Sequence, residues 1–146
     1  MAEAKDLLHL RKLQSQSATE RLAAAEARCR ALENELARAL EAFDAEQIAM
    51  ENNRKAHIAA LIGNPSDPVT IARIGLQYEA EQDTKLARAK EIHALKDTLQ
   101  SAYGTRDIAR AERNESTKAE RKVEELVQRL SRAHRQRQDA IMEDDR

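Results

Sequence analysis

The chain has 146 residues, 25 basic and 26 acidic, for a net charge of −1. Its 27 alanines equal Leu, Ile, Val and Phe combined, three residues are aromatic and none is Trp. Alanine buries little area, so the composition argues against a compact single-core enzyme. Balanced charge with two Pro and three Gly argues equally against disorder. What remains is a composition rich in Ala, Glu, Leu, Lys and Arg with 35% charged residues, the profile of helices that bury one narrow stripe and solvate the rest.

The N-terminal stretch, residues 1 to 13, carries only Leu7, Leu8, His9 and Leu10 as an apolar-leaning patch among charges. That is far short of a signal sequence or of a membrane span of about 20 residues. From residue 3 to 62 there is neither Pro nor Gly, which predicts one uninterrupted helix. Within it a seven-residue register runs through Leu8, Ser15, Leu22, Cys29, Leu36, Phe43, Met50 and His57. Its companions three residues on are Arg11, Ala18, Ala25, Leu32, Ala39, Glu46, Asn53 and Ala60. A sustained 3.5-residue repeat predicts a coiled coil; alanines allow close approach and the polar positions favour a fixed register. Cys29 falls in this stripe and reads as a small buried apolar residue; as the only cysteine, it can form no intrachain disulfide. His57 reads as a tolerated register residue.

Punctuation is concentrated at Gly63-Asn64-Pro65-Ser66-Asp67-Pro68. Gly63 suits the left-handed position after a helix, and Asp67 followed by Pro68 reads as the cap and first residue of the next. The reading is a turn over 63–67 between a helix of about 3–62 and one of about 68–142, forming one coiled-coil unit. At about 1.5 Å per residue the helices are roughly 90 and 110 Å long. The second helix has a stripe at Leu95, Ala102, Ala109, Ser116, Val123 and Leu130. Its expected companions are Thr98, Thr105, Glu112, Ala119, Leu126, Ala133 and Ala140. Gly75 and Gly104 lie inside this helix, each costing about 1 kcal/mol relative to Ala. The expected fold is an elongated all-α antiparallel two-helix coiled-coil hairpin; a break at Gly104 gives a three-helix bundle as the alternative.

A reversal near residue 65 sets residue i opposite roughly residue 130 − i, leaving the last dozen or so residues as an overhang. The overhang is basic: residues 129–138 hold Arg129, Arg132, Arg135 and Arg137, with His134 and no acid. Residues 33–51, by contrast, hold six acids against Arg38. Four Glu residues precede Lys or Arg by four positions (Glu26/Arg30, Glu51/Lys55, Glu81/Lys85, Glu125/Arg129), spaced to pair on a solvated helix face.

No catalytic constellation is visible. The four histidines are scattered, one cysteine makes no zinc site, and phosphate-binding glycine motifs are absent. The expectation is a protein that is not an enzyme and has no cofactor. Nucleic-acid binding is disfavoured by a pI near 6.4 and by aromatics far from the basic end. An arginine-rich helical end suits docking into a carboxylate-lined ring or groove. Leu40 and Phe43 on the first helix, with Ile71, Ile74 and Tyr78 on the second, are read as the richest cluster of large apolar groups; Ile58, Leu61 and Ile62 close the hairpin end.

The start Leu7-Leu8-His9-Leu10-Arg11-Lys12-Leu13, the single central turn, the longer second helix and the basic end together resemble the small stalk proteins of flagellar and type III secretion export, the FliJ and YscO group. The resemblance implies an antiparallel coiled coil similar to a rotary ATPase shaft. It implies insertion of the joined termini into a hexameric export ATPase, contact nearer the bend with the cytosolic ring of the export gate, and export chaperones as further partners. The ATPase-facing role falls to Arg11, Lys12, Arg129, Arg132, Arg135 and Arg137. The gate-facing role falls to Leu40 and Phe43, with Gln47 where a second aromatic is expected, and to Ile74 and Tyr78. The implied protein is a monomer when free, cytoplasmic, and recruited to the inner-membrane export apparatus through its partners. The competing expectation, from the coiled-coil pattern alone, is a structural scaffold or assembly protein that self-associates.

Overall fold

The computed structural model describes residues 2–63 and 68–145. They form two helices, α1 (Ala2–Gly63) and α2 (Pro68–Asp144), which pack against each other as an all-α hairpin. Pro68 opens α2, where its fixed φ suits a first turn and its missing N–H leaves no donor unpaired. Gly63 departs from expectation. It is the last helical residue of α1 and no described glycine has a positive φ, so it does not take the left-handed position. The helix runs one residue further than a glycine stop requires; the expected cap at Asp67 lies outside the described residues. Helix α2 continues through Gly75 and Gly104, so the three-helix alternative does not form.

The hairpin divides into two compact units, one of residues 1–28 with 102–146 and one of residues 29–101. In the first, Ala18, Leu22, Ala102, Ala109 and Val123 are buried, flanked by half-buried Leu8, Arg11, Ser15 and Ala25. Arg21 reaches Glu112 at 3.8 Å, an exposed pair that marks the register. It sets residue i of α1 opposite residue 133 − i, three further along α2 than expected, so that Ala2 is met near Ser131. Burial agrees: Ser131 and Ala133 are half-buried, and every described residue from His134 to Asp145 is exposed.

In the second unit Cys29, Leu32, Ile92 and Leu99 are buried, flanked by Leu36, Ala39, Phe43, Glu46 and Leu95. Arg88 bridges the helices here: its Nε donates to both carboxylate oxygens of Glu46 at 3.2 and 3.3 Å, and its Nη1 to Glu91 at 3.1 Å. The hydrogen bonds that Arg88 donates to Glu91 and then to Glu46, with the negative charge of both carboxylates, hold the guanidinium above its ordinary pKa. An acid that interrupts the apolar stripe of α1 is thereby partnered across the hairpin.

The α1 register matches the seven-residue repeat as far as Met50 and His57, but of the companion row on α2 only Ala119 and Ala133 are half-buried. Thr98, Thr105, Glu112 and Leu126 are exposed; one residue further on, Leu99 is buried, and Arg106, Arg113, Glu120 and Val127 are half-buried. Heptads alternate three- and four-residue steps, and in α2 the four-residue step follows Leu95, Ala102, Ala109, Ser116 and Val123. Arginine and glutamate fit along the seam through their aliphatic stems, and the Arg113 Nε is buried there without an acceptor. Of the four i, i+4 pairs, Lys55 with Glu51 closes, at 3.7 Å; the other three form no ion pair among the described residues.

Candidate functional site

The terminal basic residues all lie in the unit of residues 1–28 and 102–146. Arg11 occupies a seam position, half-buried, and its Nη1 donates to Gln14 Oε1 at 3.1 Å while its Nε is buried without an acceptor. Lys12, next to it, is exposed. Arg129, Arg132, Arg135 and Arg137 are exposed, and none forms an ion pair or hydrogen bond within the described residues. The same stretch holds one internal side-chain contact, His134 Nε2 to Gln138 Nε2 at 3.1 Å. With 3.6 residues per turn, these four guanidiniums spread over about 200° of the helix circumference. Their charge is spread round the helix rather than gathered on one face.

The expected gate-facing residues all lie in the unit of residues 29–101, where they fall into two places. Ile74 and Tyr78 line an open cleft of about 340 Å³ between α1 and α2, with Arg54, His57, Leu61 and Ile71. Tyr78 also borders a smaller polar cleft of about 190 Å³ with Gln47, Met50, Arg54 and Lys85. Gln47 is half-buried, and its Nε2 is buried without an acceptor. Leu40 and Phe43 line neither cleft. The Glu46–Arg88 pairing places Phe43 level with about residue 91 and Tyr78 level with about residue 56 of α1. At about 1.5 Å per residue, Phe43 and Tyr78 are therefore roughly 20 Å apart along the helices. The expected cluster of Leu40, Phe43, Ile71, Ile74 and Tyr78 does not assemble: antiparallel pairing carries sequence-central α1 residues toward Ile92, away from the start of α2.

Around the cleft the apolar side chains stay largely uncovered, with Ile58 50%, Ile62 79%, Val69 66% and Leu76 68% exposed. Ile58 and Ile62, expected to close the hairpin end, are thus not enclosed by it, whereas Leu61 is half-buried. The residues missed by sequence reasoning are Arg54 and the cation-rich helix face from Arg110 to Arg121. The signal for that face was present as the spacing of Arg110, Arg113, Asn114, Thr117, Lys118 and Arg121, three or four apart.

Among the described residues no group of three or more His, Cys, Asp or Glu side chains is placed to hold a metal ion. Among the described residues no helix is long and apolar enough to cross a membrane. Cys29 is buried and free of any disulfide among the described residues. No family model, curated protein or solved structure matches the chain.

Proposed function

We propose that this chain is the non-enzymatic central stalk of a flagellar or type III secretion export apparatus. It inserts its basic terminal end into the hexameric export ATPase and links that ring to the export gate and to export chaperones. It works in the cytoplasm, reaches the inner membrane only through these partners, and is a monomer when free. The observation that carries the reading is the state of Arg129, Arg132, Arg135 and Arg137: exposed, without partners among the described residues, and distributed round the helix where packing ends. A guanidinium with no intramolecular acceptor is available for bidentate contact with carboxylates lining a pore. Chemistry resides in the ATPase; the stalk acts by binding one state of the ring better than another, which is how a non-catalytic partner biases hydrolysis. In the unit of residues 29–101, Tyr78 and Ile74 in their cleft, with Gln47 beside it and Leu40 and Phe43 further along α1, form the gate-directed surface.

The test is hydrolysis by the cognate export ATPase in the presence of wild-type chain and of R129E/R132E/R135E. Stimulation is lost in the variant while its helicity by circular dichroism stays at the wild-type level. Unchanged stimulation overturns the stalk role. Light scattering separates it from a self-associating scaffold, which forms a stable oligomer in place of a monomer.

A further inference from the structure

A second basic surface lies on α2, within the unit of residues 1–28 and 102–146 and apart from the terminal arginines. Arg113, Asn114, Thr117, Lys118 and Arg121 line a shallow open cleft of about 340 Å³. Arg110 precedes them by one turn of the same face. Arg110, Arg113 and Arg121 form no ion pair among the described residues, and Lys118 meets only Glu115, at 3.9 Å. The Arg113 Nε is buried and has no acceptor. Thr117 is turned back on the helix, its hydroxyl donating to the Arg113 carbonyl at 2.9 Å, which leaves the cleft lined by three cations and the neutral amide of Asn114.

The face is short and bounded. Asp107, paired with Arg106 at 3.2 Å, closes it on one side and Glu124 and Glu125 on the other. From residue 110 to 121 it extends roughly 16 Å, at about 1.5 Å per residue. A long polyanion such as a nucleic acid, laid along α2, runs past both ends onto carboxylates. A carboxylate-bearing segment of limited length does not, and carboxylates at helical i, i+3 or i+4 spacing match the spacing of the cations. We infer that this face is a docking site for a short acidic helix of a partner protein, held by charge-assisted contacts to Arg110, Arg113, Lys118 and Arg121. Four cations acting together are required, because single exposed pairs contribute little. The inference is independent of the ATPase reading, which concerns residues 129–137.

The test uses the full chain and a fluorescently labelled helical peptide of about 14 residues, long enough to cover the patch. The peptide carries Glu on one face at i, i+3, i+4 spacing, with its Gln counterpart as control. At low ionic strength, about 50 mM, where surface charges are weakly screened, the Glu peptide binds by anisotropy and the Gln peptide does not. R110Q/R121Q, at two exposed positions, weakens binding roughly tenfold or more, with unchanged circular dichroism; K118Q serves if that pair alters folding. R132Q/R135Q leaves it unchanged. Absence of Glu-peptide binding, equal loss in R132Q/R135Q, or tighter binding of a single-stranded oligonucleotide each overturns the inference. ATPase stimulation, measured on the same variants, stays intact in R110Q/R121Q, so failure here and failure of the stalk role are read out separately.

Discussion

Within the unit of residues 29–101, the part far from the inter-helix connection and the part beside it treat the same kinds of residue in opposite ways. Leu32 and Leu99 are 6% and 7% exposed, whereas Leu76 and Ile62 are 68% and 79% exposed. The difference lies in the company each keeps. Leu32 and Leu99 sit on seam positions where Cys29, Leu36, Ile92 and Leu95 provide neighbours on both helices. Beside the connection the seam of α1 passes through Asn53 and Ala60, both exposed, so the helices there have little to close upon. Apolar character by itself does not bury a side chain; two matching stripes do. The packed part therefore supplies stability, and the uncovered part is available for contacts outside the chain.

Substitutions can break or sharpen this contrast. The largest expected effect is at the packed positions: Leu32→Ala and Leu99→Ala each destabilise by about 2 kcal/mol or more in urea unfolding followed by circular dichroism. A loss below half that figure indicates that the seam is not where the stability resides. Next is Gln47→Leu, which removes a buried amide nitrogen that has no acceptor and stabilises by about 1 kcal/mol. Gly75→Ala and Gly104→Ala follow, each stabilising by roughly 0.5–1 kcal/mol, because both sites are helical and exposed and an added Cβ meets no atom within 4 Å. Unchanged or lowered melting temperature for either contradicts a continuous α2 at that point. The smallest effect is beside the connection, where Leu76→Ala changes stability by less than about 0.5 kcal/mol. A double-mutant cycle on Arg21 and Glu112 is expected to yield a coupling of similar size, since both side chains are more than half exposed.

Much of the fold is legible in the sequence. Leu22, Cys29 and Leu32 are buried where a 3.5-residue repeat puts them, and their burial needs no knowledge of what faces them. The second helix was harder. Thr98, Thr105 and Leu126 look more suited to a seam than Arg106, Arg113 and Glu120, and counting apolar residues selects them. The structure turns the charged set inward by half, because long aliphatic stems pack along a seam. For the candidate sites the same limit applied. The exposed run from Arg129 to Arg137 is visible as a local charge pattern, but the separation of Phe43 from Tyr78 depends on pairing across the hairpin.

The sequence alone determined that this chain is all-α and where α1 presents its stripe. Helix propensity, the absence of Pro and Gly, and heptad spacing act over a few residues at a time and are written directly in the chain. Only the tertiary structure decided which residues of α2 face that stripe, that Arg88 partners Glu46, and that Tyr78 stands beside Gln47 and His57 rather than beside Phe43. Those outcomes depend on how far one helix slides along the other, and that displacement is set by the summed packing of both seams, which no local pattern contains.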